Sequence, residues 1–372
     1  MDVSRYINGA VRLMNGGAEA HDVQIKAVHR LAYEKADTIL VAPTAYGKRS
    51  VLHACYLLTA KIFIHIMPSM RVAKDEARAI SREISRSKPI VVTEDLLATT
   101  NFFGRMRAQQ YTHILVSPEF AASPKFIVEL TRDPEFPSKI GFFVVHDLHM
   151  VSRWKDYYHA GIFLDSLRYA FPHVPWYACT AAFDHESQVV SPHIIGFDLQ
   201  TTEYIRVPVD RPEISVTCVS ISSEEDFGHL DFLLAGNKTR DIAKTVIYAA
   251  DAVQAYKVCR SLWLHAQQLG LSRSEAKQVI QRYDVNGLTD KEKDTLITNL
   301  AGDTDCRIVV SAVSLSTGWD LPDIIRVVHL GFPMDGEEIS VGEWWQRNGI
   351  VMRDMAKAQA SGYMFGYSYT FA

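Results

Sequence analysis

The stretch that decides the fold is TILVAPTAYGKRS, residues 38–50, in which a run of apolar and β-branched residues leads into a turn that closes on Gly-Lys. This pattern predicts a strand, a tight loop and a helix. Such a loop can cradle phosphates with its backbone N–H groups while its lysine reaches the terminal phosphates. Lys48 is the candidate phosphate-binding lysine, and Thr44, Gly47 and Ser50 are further candidate nucleotide contacts.

The loop departs from the strict phosphate-binding pattern directly after its lysine. A Ser or Thr is needed there to bind Mg²⁺, but the chain has Arg49, with Ser50 one place later. A guanidinium can pair with phosphate oxygens, so Arg49 can supply positive charge where the metal would lie, although it cannot activate water. Ala42 and Ala45 also stand where such loops often have glycine. An ordinary strand, turn and helix with a surface lysine is the alternative.

The composition is that of a globular protein with a large core: 372 residues, 48% of them apolar, are enough for two domains of ordinary size. The net charge is −4, so any nucleic-acid contact must come from a local basic face. Five scattered cysteines without a CxxC pair predict buried, reduced thiols and an intracellular location, nuclear in a eukaryote. No signal peptide or membrane-spanning apolar run is visible, so no membrane partner is expected.

Apolar runs that alternate with helical patterns predict an α/β fold with two tandem domains, each a parallel sheet covered by helices on both faces. We place the first domain at residues 1–206 and the second at 207–372, with residues 183–212 forming turns and extended chain between the two series of strands. The first domain has predicted strands at 38–42, 61–67, 90–93, 113–117, 140–145 and 176–179. The second has predicted strands at 214–221, 245–249, near 280, 307–311, 326–330 and 362–371.

Polar side chains follow the predicted strands of the first domain at the point where each strand ends. In an open α/β sheet the ligand lies outside the carboxyl ends of the strands, so these side chains are expected to gather there. They are Lys48, Ser69, Ser117, His146, Asp147 and Thr180. His146, Asp147 and His149 could also serve as metal donors, but three donors at one strand end are a weak signal, and no metal site is predicted.

A basic face runs along the helix predicted after the second strand. Its cations recur at spacings of three and four residues and therefore share one face, which can follow a phosphate backbone. They are Arg71, Lys74, Arg78 and Arg82. The alternative is an ordinary solvated face that is partly neutralised by Asp75, Glu76 and Glu83.

Gln24 lies on a predicted helix within residues 1–36 that must run back beside the loop. A glutamine amide in that place can read adenine, because it offers both donors and an acceptor. A surface glutamine without a ligand is the alternative.

Taken in order, these segments resemble a superfamily 2 helicase core, and within it the RecQ-like family, from about Gln24 to Phe371. VVHDLHMVSRW, residues 144–154, resembles the DEAH box and its continuation, and IVVSAVSLSTGWDLPDIIRVVHLGFP, residues 308–333, is the strongest match. WWQRNGIVMRD, residues 344–354, is similar to the final motif, Gln-x-x-Gly-Arg-x-Gly-Arg-Asp. Shorter matches are FPHVPWYACTAAF, VDRPEI and VIYAADAVQAYKV.

The resemblance implies two RecA-like domains of the P-loop NTPase fold, with ATP between them and single-stranded nucleic acid across their top. DNA is the nucleic acid expected from the RecQ-like family, although the sequence carries no code that separates DNA from RNA. Gln24 would read adenine, and Lys48 would bind the phosphates. In catalysis the resemblance implies Asp147, Gln346 and the arginine finger Arg353, and in coupling of nucleotide to nucleic acid it implies His149 and Gln346. Gly318 and Asp320 would contact the nucleotide, and Trp154 and Thr180 would contact the nucleic acid. Asp320 and Thr180 would also serve the domain interface. Packing between the domains is an equal alternative for Trp154.

Several of these positions have residues that differ from those of the family, and most of the differences affect binding of the metal. Hydrolysis of ATP needs Mg²⁺ that bridges the phosphates and a carboxylate that orients the attacking water. Arg49 replaces the metal-binding hydroxyl, His146 replaces the metal-linked Asp of the DEAH box, and Asp147 is a shortened stand-in for the catalytic Glu. Ile350 replaces the first arginine of the last motif and leaves Arg353. The departures therefore concern mainly the metal.

The sequence predicts a RecQ-like helicase-core protein that binds single-stranded nucleic acid and ATP, with hydrolysis weak or lost and the use of Mg²⁺ in question. One alternative is a working ATP-dependent 3′–5′ DNA helicase that tolerates these changes. The other is a scaffold derived from a helicase, with a protein partner. No cysteine cluster follows the second domain, so the zinc-binding and winged-helix modules of larger relatives are not expected in this sequence.

Overall fold

The computed structural model describes the chain except for residues 1–2, 45, 154–163, 182–184, 222, 224–226, 237–238, 285–286, 313–320, 322, 331–340, 352–359 and 367–372. The chain divides into two compact units, Met1–Val209 and Asp210–Ala372. The sequence prediction placed the division between residues 206 and 207. In the described part of the chain, no helix is both long and apolar enough to cross a membrane.

A seven-stranded sheet forms the centre of the first unit. Its strands are β1 (Thr38–Val41), β2 (Ile62–Ile66), β3 (Pro89–Val91), β4 (His113–Val116), β5 (Ile140–Val145), β6 (Trp176–Thr180) and β7 (Glu203–Arg206). They lie in the order β3-β4-β2-β5-β6-β1-β7, and all of their pairings are parallel. The six predicted strands are confirmed with ends that differ by two residues at most, whereas β7 was not predicted.

Helices cover both faces of this sheet, which is why its strands are nearly continuous apolar runs. Side chains alternate along β1, so that Ile39 and Val41 enter one core while Leu40 and Ala42 enter the other. The helices are α1 (Val3–Met14), α2 (Asp22–His29), α3 (Lys48–Thr59), α4 (Met70–Glu83), α5 (Glu94–Thr99), α6 (Phe102–Arg107), α7 (Pro118–Ala122), α8 (Pro124–Thr131), α9 (Phe136–Lys139), α10 (Asp165–Ala170) and α11 (His185–Ile195), with a π turn at Arg30–Glu34 and a 3₁₀ turn at Leu148–Arg153.

Helix α11 and strand β7 correct the prediction that residues 183–212 are turns and extended chain. Pro192 lies inside α11, and a proline cannot donate the hydrogen bond that the carbonyl of Gln188 would otherwise accept. The hydroxyl of Tyr204 on β7 donates to that carbonyl at 3.1 Å and replaces the missing donor. Ile195 is buried in the core, and such packing outweighs the poor helix propensity of the segment.

A six-stranded sheet forms the centre of the second unit. Its strands are β8 (Ile214–Ser220), β9 (Thr245–Tyr248), β10 (Ile280–Tyr283), β11 (Ile308–Ser311), β12 (Arg326–Leu330) and β13 (Ala360–Gly366). They lie in the order β10-β11-β9-β12-β13-β8 with parallel pairings. The helices are α12 (Ala252–Gln268), α13 (Arg273–Val279), α14 (Asp290–Ala301) and α15 (Val341–Asn348), with 3₁₀ turns at Gly228–Leu234 and Thr239–Asp241. All six predicted strands are confirmed, although the end of the last one lies outside the described residues.

All five cysteines are free thiols. Cys55, Cys179, Cys259 and Cys306 are buried, as predicted, but Cys218 on β8 is exposed. Burial raises the pKa of Cys179, of Cys259 and of Cys306 to about 12, because a thiolate is poorly solvated in the core. The prediction of burial is therefore wrong for Cys218, which lies on an edge strand.

Candidate nucleotide-binding site

The loop between β1 and α3 depends on glycine at position 47. Gly47 has a φ of +81°, in the left-handed region, and directly precedes the first residue of α3. A Cβ at this position would lie 2.3 Å from Nε2 of Gln24. Both the backbone conformation and the close approach of α2 therefore require glycine here.

The amine of Lys48 turns back onto the loop. Its Nζ donates to the carbonyl oxygens of Ala42 and Pro43, each at 2.8 Å. The hydroxyl of Tyr177 on β6 donates to the Lys48 carbonyl at 3.3 Å and helps to fix the start of α3. A bound phosphate would therefore have to compete with two carbonyl oxygens for this amine.

Gln24 is buried, and its side-chain amide holds the loop. Its Nε2 donates to the carbonyl oxygens of Tyr46 and Gly47, each at 3.2 Å. Its Oε1 accepts from the main-chain N–H of His21 at 3.0 Å and from Nδ2 of Asn15 at 3.1 Å. These bonds use both donors and both lone pairs of the amide. Adenine recognition by Gln24 stays a prediction, and it would require the amide to release the loop.

Arg49 is paired with two carboxylates of α4. Its Nε and Nη2 lie 3.0 and 2.8 Å from Oε2 of Glu76, and its Nη1 lies 3.5 Å from Oε1 of Glu83. The hydroxyl of Ser50 donates to the carbonyl of Met14 on α1 at 3.4 Å. In the family that this chain resembles, the residue at this position binds the metal. Here the position has the Arg49 guanidinium, which is paired with two carboxylates.

His53 on α3 extends this pairing into the core. Its Nδ1 lies 3.2 Å from Oε2 of Glu83. Burial alone would raise the pKa of Glu83, but the hydrogen bond with His53 and the charge of Arg49 outweigh it and lower that pKa to about 2. Burial would likewise raise the pKa of Glu76, and the charge of Arg49 outweighs it and lowers that pKa. Both carboxylates are ionised near neutral pH.

A row of three histidines crosses the sheet and ends at the DEAH-like motif. We call His113 on β4, His65 on β2 and His146 after β5 the histidine row. The His65 ring is tilted against that of His113, with centroids 5.4 Å apart, and is stacked on that of His146, with centroids 5.2 Å apart. Nδ1 of His65 and Nε2 of His146 are 2.9 Å apart, so one imidazole donates to the other. Burial lowers the pKa of all three, that of His113 to about 3. The histidine row is therefore neutral at pH 7.

These side chains do not fit Mg²⁺. This ion prefers carboxylate, carbonyl and water oxygens in an octahedral arrangement. Arg49 is a cation, and His146 offers a nitrogen that is already hydrogen-bonded to His65. Among the residues that the structure describes, no group of three or more His, Cys, Asp or Glu side chains is arranged to hold a metal ion.

Asp147 follows the histidine row with a φ of +51°. Residues with a Cβ adopt this conformation infrequently, and such strain is concentrated at functional sites. The Asp147 carbonyl accepts from the N–H of Met150 at 2.7 Å, which closes the turn into the 3₁₀ segment. The candidate catalytic carboxylate therefore belongs to a tight turn at the carboxyl end of β5.

His149 and Thr180 were predicted from separate motifs, and the structure brings them together. Nδ1 of His149 lies 3.0 Å from Oγ1 of Thr180, and both residues are buried. The contact arises because β5 and β6 are neighbours in the sheet. It joins the DEAH-like turn to the end of β6, while the coupling role of His149 stays a prediction.

The predicted basic face of α4 surrounds a buried aspartate. Nη1 of Arg71 and Nη1 of Arg78 lie 3.6 and 3.4 Å from the two carboxylate oxygens of Asp75. Lys74 and Arg78 are exposed. The face is accessible to a ligand, although Asp75 neutralises part of its charge.

The remaining predicted residues are described in part. Thr44 lies in the loop and is partly exposed. Gln346 lies in α15, with its side chain outside the described part, and Ile350 is fully buried in the core of the second unit. Four predicted site residues lie outside the described ranges: Trp154, Gly318, Asp320 and Arg353.

Sequence reasoning missed the partners of the altered positions. Glu76 and Glu83 had been interpreted as neutralising the basic face, but they pair with Arg49 on α3. Their spacing of seven residues, which puts both on one helical face, was a usable signal. His65 carried no such signal, because a lone histidine in an apolar strand is usually a core residue.

Two curated proteins are similar along most of the chain, whereas no protein-family model matches it. The bifunctional 3′-5′ exonuclease/ATP-dependent helicase WRN of Mus musculus is 23% identical over 349 residues, covering 91% of this chain and 22% of that protein. The ATP-dependent DNA helicase RecQ of Pasteurella multocida is 22% identical over 344 residues, covering 87% of this chain and 47% of that protein. The chain therefore spans less than half the length of either relative.

Solved helicase structures match almost the whole fold. The DUF1998 helicase MrfA bound to DNA and AMPPNP has a TM-score of 0.73 at 17% identity, covering 99% of this chain and 51% of that one. Lhr of Mycobacterium smegmatis bound to ssDNA and AMP-PNP has a TM-score of 0.67 at 17% identity, covering 97% and 48%. Dbp5 of S. cerevisiae bound to RNA and ADP BeF3 has a TM-score of 0.67 at 15% identity, covering 98% and 87%. The resemblance of this chain to a RecQ-like helicase core is thus confirmed, and its fold is that of two tandem RecA-like domains.

Proposed function

We propose that the chain is a RecQ-like helicase-core protein that binds ATP and single-stranded nucleic acid, which we take to be DNA, with hydrolysis weak or lost. The similar structures hold DNA, ssDNA or RNA, and two of them hold a non-hydrolysable ATP analogue, which supports both kinds of binding. The accessible basic face of α4 supports the nucleic-acid part. An intracellular location, nuclear in a eukaryote, belongs to the same proposal.

The observation that carries the proposal of weak hydrolysis is the pairing at the two altered metal positions. Arg49 is bound to Glu76 and Glu83, and His146 is hydrogen-bonded to His65. Transfer of the terminal phosphoryl group to water depends on a metal that bridges phosphates and neutralises developing charge. A guanidinium can neutralise charge, but it cannot lower the pKa of a bound water. The site would therefore retain ATP binding while hydrolysis is weak or lost.

Lys48 and the loop would do most of the binding. The Lys48 amine already lies against two carbonyl oxygens, so it can exchange these partners for phosphate oxygens with little rearrangement. Hydrogen bonds to charged groups are stronger than those to neutral carbonyls, which favours the exchange. The backbone N–H groups of the loop would complete the contact.

The test is ATP turnover by the full chain with Mg²⁺, with and without single-stranded DNA, beside a Lys48→Ala variant. We expect the wild type and Lys48→Ala to turn over ATP equally slowly, because the side chains at the metal positions do not fit Mg²⁺. A parallel calorimetric titration should give the same ATP affinity with Mg²⁺ and with EDTA, and Lys48→Ala should weaken it about tenfold or more.

The alternatives give different results in the same experiment. DNA-stimulated turnover that disappears in Lys48→Ala would identify a working ATP-dependent DNA helicase and refute the proposal. Failure to bind either ATP or single strands would leave the scaffold derived from a helicase, with a protein partner.

A further inference from the structure

Arg49 lies at the start of α3, directly after the phosphate-binding lysine, yet its side chain is held on α4. Glu76 binds Nε and Nη2 through a single oxygen, Oε2, at 3.0 and 2.8 Å. Glu83 binds Nη1 at 3.5 Å. We call this arrangement the arginine latch, formed by Arg49, Glu76 and Glu83.

The three members of the arginine latch differ in exposure. The side chain of Glu76 is 6% exposed, whereas those of Arg49 and Glu83 are 35% and 33% exposed. A buried carboxylate without its cation would be costly, so Arg49 has a large role in keeping Glu76 ionised. Release of the partly exposed guanidinium therefore costs free energy at Glu76, and this cost restrains the exchange of Arg49 to another anionic partner.

A nucleotide would bring such a partner. A triphosphate on the loop would place several negative charges beside Lys48 and the start of α3, within the reach of a side chain one residue further along. Glu76 and Glu83 would oppose binding in two ways, because they repel the phosphates and because they occupy the cation that could neutralise them. Both effects have the same sign.

We propose that Glu76 and Glu83 are positioning residues that hold Arg49 on α4 and thereby restrain metal-independent binding of nucleoside triphosphates. Release of Arg49 from this latch delivers a guanidinium to the phosphates. The proposal rests on the proposed function, since it concerns the affinity of the same nucleotide site.

The experiment is calorimetric titration of ATP into the full chain in EDTA. Glu76→Gln and Glu83→Gln should each bind ATP about tenfold more tightly than the wild type, equivalent to about 1.4 kcal/mol. Arg49→Ala should bind more weakly, and adding Glu76→Gln to Arg49→Ala should increase the affinity by clearly less than tenfold, because only the relief of repulsion remains. Glu129→Gln is the matched control, because it removes a carboxylate paired with Arg107 and Arg132 elsewhere in the first unit, and it should bind like the wild type.

Each outcome decides the matter. If the wild type binds ATP and neither glutamine variant binds more tightly, the arginine latch is refuted while the proposed function stands. If the double variant keeps the full gain, the effect is loss of repulsion alone, and the positioning role is refuted. If neither the wild type nor any variant binds ATP, both the arginine latch and the proposed ATP binding are refuted. Should Glu76→Gln unfold, the more exposed Glu83→Gln carries the test, with folding checked by thermal melting.

Discussion

At the scale of single residues, the backbone conformation of Gly47 and the hydrogen bonds of the Gln24 side chain depend on each other. The left-handed φ of Gly47 lets the loop turn into α3, and the absence of a Cβ lets the Gln24 amide approach and donate to two loop carbonyls. A side chain at position 47 would lose both advantages. The loop is therefore shaped by α2 before any ligand arrives.

Gly47→Ala should lower the free energy of unfolding of the first unit by about 2 kcal/mol. The left-handed backbone costs an alanine roughly 1 kcal/mol, and the displaced Gln24 amide loses hydrogen bonds of about 1 kcal/mol in total. Urea unfolding followed by circular dichroism measures the change. The matched control is Gly9→Ala in α1, where a Cβ meets nothing within 4 Å, and where we expect a gain of up to about 1 kcal/mol.

A loss for Gly9→Ala as large as that for Gly47→Ala would contradict this account, because it would mean that position 47 has no special requirement.

At the scale of elements, α4 has two working faces. One face carries Glu76 and Glu83 toward Arg49, and another carries the basic side chains that surround Asp75. Ser69 begins the helix by accepting from the N–H of Val72 at 3.3 Å. The helix thus starts beyond the carboxyl end of β2.

Replacing Lys74 and Arg78 by alanine should weaken binding to single-stranded DNA and reduce its salt dependence. Each phosphate contact contributes about 0.7 to the slope of log K against log salt concentration for single strands, so the slope should fall by about 1.4. Fluorescence anisotropy at several salt concentrations measures it. Lys125→Ala, an exposed lysine on α8, is the control and should leave the slope unchanged. An unchanged slope in the double variant would favour the scaffold with a protein partner.

Local patterns allowed most elements to be predicted, and long-range packing accounts for the rest. Strands β1, β2, β4 and β5 are short, largely apolar runs that lead into polar or proline-containing turns, and such runs can be recognised without a structure. Helix α11 was missed because Pro192 argues against a helix, and only Tyr204, on a later strand, supplies the missing donor. In the site, the loop and the altered positions were readable, but the partners of Arg49 lie 27 and 34 residues further along the chain.

At the scale of the whole molecule, buried neutral histidines make the folded state sensitive to acid. Burial lowers the pKa of all members of the histidine row, and in the second unit burial lowers the pKa of His329 to about 3. An unfolded chain would protonate these groups near pH 6.5. Between that pH and the lower folded pKa values the unfolded state binds more protons, so stability falls as pH falls.

The free energy of unfolding should therefore decrease as the pH is lowered from about 6.5 toward 4, by up to about 1.4 kcal/mol per pH unit for each histidine of the row. Glu76 and Glu83, whose pKa values are also lowered, add to the loss below about pH 4.5. Urea unfolding at several pH values measures the slope. His113→Gln should flatten it, whereas His173→Gln, at an exposed histidine, should not.

A slope that is the same for His113→Gln and the wild type would show that the histidine row does not set the acid sensitivity.

Cys218 gives the chain a natural handle for single-site chemistry. All five cysteines lie in the described part of the chain, and the other four are buried with raised pKa values. Maleimides react with accessible thiolates, so they should attach a dye or a spin label at Cys218 and leave the buried thiols unmodified. A reporter on the edge strand of the second unit is therefore available without replacing any residue.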